Sequence, residues 1–231
     1  MDLLEPTRQA FALLFSGDPA LWQSIWLSLW VSVAAIGLVA APSISLGFLL
    51  AKKRFSGQRA AVVLVQALLS FPTVVIGLAI YLLLSRRGPF GSFELLFTPW
   101  AIMLGYMVIA FPILVVFTLS AVQGADPRVY ETARCLGASR FAASLTTLWE
   151  VRFGILAAVV NGFGRAISEV GCAIMVGGNI AGLTRNIPTA IALETTKGDF
   201  AQGIALGFVL MVVALGVNIV LAVLQGEGGL K

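Results

Sequence analysis

The sequence has no histidine, only two cysteines, and charged residues at just 11% of its 231 positions. Histidine is the commonest metal ligand and the side chain most used for general acid–base chemistry. Its absence argues against a haem protein or an intramembrane protease. Cys135 and Cys172 stand far apart without metal-ligand spacing, and free cysteine is among the most buried residue types, so two inert buried thiols and no metal site are expected. No GxxxxGK[ST] run is present, so the chain supplies no phosphate-cradling nucleotide loop. The first residues lack a secretory signal: Asp2 and Glu5 replace a basic start, and no apolar core with a small-residue cleavage site follows. A soluble domain carries about 25% charged residues, so this composition cannot build a surface that faces water.

What the sequence has is apolar length. Hydrophobic residues make up 59% of the chain and the mean hydropathy is +0.97. A bilayer core of roughly 30 Å is crossed by about 20 apolar residues in a helix, and five stretches qualify: 21–51, 60–84, 99–122, 153–183 and 201–224. The first and fourth are longer than needed, so tilt, kinks or extension beyond the lipid are expected. The runs lack strand-like alternation, and only helices or closed barrels satisfy their backbone in lipid. The expected fold is an all-α integral membrane bundle of about five helices, forming one domain over 21–224 between an outer segment 1–20 and a tail 225–231. Residues 7–15 suit a short surface helix.

Basic residues between the runs set the orientation. The first and third loops hold Lys52, Lys53, Arg54, Arg59, Arg128, Arg134, Arg140 and Arg152, eight against the four of Arg86, Arg87, Arg185 and Lys197 in the second and fourth. Loops one and three are therefore expected in the cytoplasm, the amino terminus outside and the carboxyl terminus inside. A nucleic-acid partner would call for one basic stripe rather than this scatter. Pro42, Pro72 and Pro112 interrupt the runs, and each is expected to kink a span, as pathway lining or as plain packing. Gly203 and Gly207 form a GxxxG that permits close helix contact.

The third loop, 123–152, is long for a connection between helices. Asp126 can cap a helix with Pro127 at its first position, Gly137 suits its stop, and Ser139 can cap a second helix. This predicts two short helices meeting at a glycine elbow. Such a pair could lie in the headgroup layer or in a groove on a partner.

The segment Glu131-Thr132-Ala133-Arg134-Cys135-Leu136-Gly137-Ala138-Ser139 resembles the EAA loop of ABC-importer permeases, whose pattern is Glu-Ala-Ala, three residues, then Gly. Glu131, Ala133 and Gly137 match. Thr132 departs slightly, and Glu150 stands where a proline is usual. The resemblance implies the type I permease fold and a coupling helix docked on a cytoplasmic ATPase, with Glu131, Thr132, Ala133, Gly137, Ala138 and Ser139 at the contact. It also implies a second copy of the chain, two ATPase subunits that bind ATP and Mg, and an external binding protein. The chain itself would be a transducer and gate with no catalytic residues and no cofactor.

Two further stretches narrow the class. Pro72-Thr73-Val74-Val75-Ile76-Gly77-Leu78 with Ser85-Arg86-Arg87-Gly88-Pro89-Phe90-Gly91, and Arg165-Ala166-Ile167-Ser168-Glu169-Val170-Gly171 with Gly178-Asn179, resemble molybdate and sulfate permeases. The stretch from Thr184 to Phe200 is most similar to the tungstate branch. Together they imply import of a tetrahedral oxyanion, with tungstate ahead of molybdate or sulfate.

Arg165 and Glu169 lie four apart on one helical face, deep in an apolar run. An ionised side chain at the bilayer centre costs about 2.5–3.5 kcal/mol on insertion scales, so the two are expected to pair and to face the interior, a partner or water. With Ser168, Gly171 and Asn179 they are candidates for the pathway or its gate. The alternative is a lock that holds the spans in register. A small dimeric secondary transporter or channel, with the pair as a relay, is the rival from another class; it would need no elbow and no ATP.

Overall fold

The computed structural model describes Arg8, Ala12 and residues 15–225. The described residues form helices joined by turns and loops, with no strand among them. Most of the expected outer segment and nearly all of the tail lie outside the described residues, as does most of the short helix expected over 7–15, of which Arg8, Ala12 and Phe15 are helical.

Helix α1 (Pro19–Lys52) begins where the Asp18 carboxylate accepts from Ala20 N at 2.8 Å, with Pro19 at the first position. Its 34 residues extend about 51 Å at 1.5 Å per residue, well beyond the hydrocarbon core. Helices α2 (Gln58–Leu68) and α3 (Thr73–Leu84) follow, then a 3₁₀ turn (Gly91–Phe93) and α4 (Pro99–Gln123). Helices α5 (Pro127–Cys135) and α6 (Arg140–Glu150) form the third loop. The chain continues as α7 (Arg152–Ile167), α8 (Gly171–Gly177), α9 (Ile187–Lys197) and α10 (Phe200–Gln225).

The bundle is organised around the α1–α4 pair, its most extensive contact. Gly47 makes the close approach possible: a Cβ there would sit 2.7 Å from the Val115 carbonyl oxygen and 2.8 Å from Thr118 Cβ. The core that follows gathers Val31, Ala35, Ile36, Ile102, Tyr106, Ala110, Leu114, Cys172 and Val176. Cys172 is wedged between α3 and α4, where added Cβ atoms at Gly77 and Gly105 would meet its Cα at 2.8 Å and its Sγ at 2.5 Å. Burial of this thiol matches the sequence expectation; Cys135, at the end of α5, is exposed instead.

Among the described residues three helices, α1, α4 and α10, are long and apolar enough to cross a membrane alone, and the number rises to as many as five if each of two bent pairs is one span. The bends revise the expected spans. The expected second span is broken into α2 and α3, which meet at 96°. Pro72 does not kink a continuous helix there but stands at the N-cap of α3, its carbonyl accepting from Val75 N at 2.9 Å and Ile76 N at 3.2 Å. Pro42 and Pro112 do lie inside helices. The expected fourth span, 153–183, is not one helix. It stops at Ile167, resumes as the seven-residue α8 and ends at Gly178 in the left-handed region, φ +71°. Its first half, α7, also meets α6 at 68°.

The expected fourth loop is largely helix. α9 starts in the protein interior, packs against α10 and touches α1. Within the chain the GxxxG makes no close helix pair: a Cβ added at Gly203 would lie 3.7 Å from Thr195 Oγ1, and nothing lies within 4 Å of one at Gly207.

Candidate functional site

The elbow is built by local hydrogen bonds that its sequence dictates. The Asp126 carboxylate accepts from Arg128 N at 2.9 Å, starting α5. At the far end Gly137 adopts φ +89°, Ala138 N donates to Ala133 O at 3.0 Å and Gly137 N to Arg134 O at 3.1 Å. This is the two-bond stop that favours glycine, because an L side chain is strained at positive φ. Ser139 Oγ then accepts from Ala142 N at 3.1 Å and starts α6, while the Arg134 guanidinium donates back across the turn to Ala138 O.

Glu131 and Thr132 are exposed on α5, with Ala133 and Ala138 half-buried. Ala143 and Thr147 face inward on α6. The opposite ridge, Phe141, Leu145 and Trp149, is exposed together with Leu136 at the elbow, which is 83% accessible. These side chains put exposed apolar surface on the elbow, of the kind that meets a partner or the membrane. Lys52 Nζ stands 5.1 Å over the Tyr130 ring, which puts the basic end of α1 and the elbow on one face of the bundle. Glu150, at the usual proline position, ends α6; the chain turns at Val151, and Arg152 lies 5.4 Å over the Trp149 ring and 4.5 Å over that of Phe153.

The second cluster forms where α7 breaks. Arg165 Nη1 lies 2.8 Å from Glu169 Oε2, with side-chain exposures of 42% and 2%. The other Glu169 oxygen accepts from Cys172 N at 3.1 Å, capping the first turn of α8. Ser168 Oγ donates to Gly164 O at 2.8 Å, and Gly171 leaves room for Val74, whose Cγ2 would be 2.6 Å from an added Cβ. Glu169 thus holds α7 to α8 in the interior while the arginine head reaches an open face. Arg165, Ser168, Glu169 and Gly171 come together at this break.

Asn179 does not join them. It sits beyond the other end of α8 at φ +51° and donates to Thr189 O at 3.3 Å. Its turn is knotted by Thr184 Oγ1, which donates to Gly177 O at 2.6 Å and accepts from Ile180 N at 2.9 Å.

A polar junction that sequence reasoning missed fixes α9 inside the bundle. Asn186 and Thr189 form a reciprocal capping box. Asn186 Nδ2 donates to the Tyr106 hydroxyl at 2.8 Å, and Ile187 N donates to Ser28 Oγ at 2.7 Å. Three elements, α1, α4 and α9, meet on these bonds. The signal was readable: Asn186 followed by Pro188 and Thr189 is a helix start.

Residues 43–226 match the family described as binding-protein-dependent transport system inner membrane component. The chain belongs to that family. A "Probable anion ABC transporter permease protein" of Haloferax volcanii is 41% identical over 81% of this chain and 83% of its own. The tungstate uptake system permease protein TupB of Peptoclostridium acidaminophilum is 37% identical over 97% of this chain and 99% of its own. Among solved structures, a chain of the bacterial alginate ABC transporter, described in complex with an alginate pentasaccharide-bound periplasmic protein, superposes with a TM-score of 0.74 at 20% identity, covering 94% of this chain and 82% of that one. The fold is that of an ABC importer permease, and the chain is a multi-pass inner membrane transport component.

Proposed function

We propose that this permease carries tungstate inward across the membrane, driven by a separate ATPase. The observation that carries the proposal is the elbow: a glycine-hinged helix pair with an uncovered apolar patch, on the same face as the basic end of α1. That face is the cytoplasmic one by the excess of lysine and arginine in the first and third loops. The amino terminus then lies outside and the carboxyl terminus inside.

Two copies supply up to ten spans around a central pathway. Two ATPase subunits, which hold ATP and Mg, press on the elbows, and an external binding protein delivers the anion. Closure of the ATPase pair moves the elbows and swings the halves as rigid bodies between outward- and inward-open states. Glu131, Thr132, Ala133, Gly137, Ala138 and Ser139 form the contact. At the break, Glu169 acts as the lock between α7 and α8, and Arg165 is the cation presented toward the pathway. Tungstate is favoured by the tungstate-uptake relative that matches nearly end to end and by the stretch from Thr184 to Phe200; molybdate or sulfate is the second reading.

Cys135 tests the orientation and the docking without any substitution, because it is exposed on the elbow while Cys172 is buried. A membrane-impermeant maleimide is expected to label Cys135 in inside-out vesicles, not in right-side-out ones, and bound ATPase should protect it. Labelling from outside would overturn the orientation. Uptake of labelled tungstate in cells, competed with molybdate and sulfate, tests the cargo; stronger competition by sulfate than by unlabelled tungstate would remove tungstate from the proposal.

A further inference from the structure

At the amino-terminal end of α1 a groove of about 520 Å³ opens on the side of the bundle. Trp22, Trp26 and Trp30, spaced by four along one face of α1, form one wall, and Pro99 of α4 and the Gly182–Leu183 turn form the other. Among the described lining residues only Arg185 is charged, and Gln23 adds a side-chain amide. Trp30 stacks edge-on against Trp100 at 6.0 Å, so four of the five tryptophans of the chain gather at this end. Arg185 is tied to its turn by its backbone, Arg185 N donating to Ile180 O at 3.0 Å. Its Nε is shut away from solvent with no hydrogen-bond partner, and no carboxylate pairs with the guanidinium among the described residues.

A cation without a counter-ion, set into an apolar groove, calls for a ligand that is anionic at one end and hydrocarbon along the rest. From Pro19 to Trp30 the groove runs about 16 Å along the helix, roughly half the hydrocarbon core. Tryptophan concentrates at the headgroup level. We propose that this groove is a binding site for one anionic phospholipid, its phosphate on Arg185 and an acyl chain along Trp22, Trp26 and Trp30. A hydrated oxyanion in transit would find a single cation, the Gln23 amide and indole N–H groups set among otherwise apolar walls, a poorer match than a ligand with a long hydrocarbon part. Assignment to the outer leaflet rests on the orientation proposed above; the binding itself does not.

The test uses the full chain in nanodiscs, with Trp149→Phe removing the one remote emitter. Tryptophan quenching is compared between brominated phosphatidylglycerol and brominated phosphatidylcholine at equal mole fraction. One arginine near a lipid surface supports about a fivefold preference for the anionic lipid, which Arg185→Lys should largely keep and Arg185→Gln should abolish. If Arg185→Gln fails to fold, the wild-type preference still decides. Equal quenching by the two lipids would overturn the site, meaning that residues 1–14 or another occupant fills the groove. Reversal of the preference by millimolar tungstate or inorganic phosphate would overturn it too, by making the groove an oxyanion subsite. Because nanodiscs expose both faces, these outcomes do not depend on which leaflet the groove meets.

Discussion

Gly137 carries the sharpest consequence of the elbow. Its φ of +89° lies where an L residue is strained, and nothing stands within 4 Å of an added Cβ. The cost of Gly137→Ala is therefore backbone strain alone, about 1–2 kcal/mol, or roughly a 5–30-fold loss in the population holding the native bend. Gly137→Asn should cost less, because asparagine tolerates the left-handed region. Gly137→Pro should cost most: proline holds φ near −65° and removes the N–H that donates to Arg134 O. The elbow protrudes from the spans, so none of these changes should unfold the bundle. The assay is tungstate carried per ATP hydrolysed, in proteoliposomes containing permease, ATPase and binding protein, with thermal unfolding as the folding control. The ratio is expected to fall in the order Asn, Ala, Pro at nearly constant unfolding temperature. An unchanged ratio in Gly137→Pro would refute the reasoning, because a bend that tolerates proline transmits nothing.

Arg165→Ala leaves the buried Glu169 carboxylate with only Cys172 N as a partner and should cost about 1–3 kcal/mol in detergent unfolding, with reduced transport. Glu169→Gln, which keeps an acceptor for Cys172 N, should cost less, and unchanged assembly and transport in Arg165→Ala would exclude both gate and lock. Gly105→Ala pushes a methyl group to 2.5 Å from Cys172 Sγ and should destabilise by about 1–3 kcal/mol. Adding Cys172→Ala should restore most of that loss, so an additive double mutant would contradict the wedge. Asn186→Ala removes the α9 cap and the bond to Tyr106, so hydrogen exchange at 187–190 should speed up, with about 1–2 kcal/mol of lost stability.

The parts of the fold that depend on neighbouring residues were legible from the chain. Asp126, Pro127, Gly137 and Ser139 place the elbow to within a residue, because caps and stops act over three or four positions. The Arg165–Glu169 pair is likewise a matter of helical spacing. What stayed hidden depends on distant partners. The run 153–183 is apolar on average despite Arg165 and Glu169, so hydropathy cannot see that Glu169 restarts the helix by capping α8. Arg185 and Lys197 make the α9 region read as a loop, although Glu194 within it is buried and pairs with Lys197 at 2.9 Å. Its place is decided by Ser28 and Tyr106, 159 and 80 residues away in sequence. Pro72 misled for a related reason: proline ends one helix and starts another as readily as it kinks one.

The most direct measurement is tungstate uptake into liposomes holding the purified permease, with and without the ATPase, binding protein and ATP. Uptake is expected only when all are present, and to stop when a non-hydrolysable nucleotide replaces ATP. Steady uptake by the permease alone would show that the spans move anion without force from the elbow, and would place the chain among channels or secondary transporters.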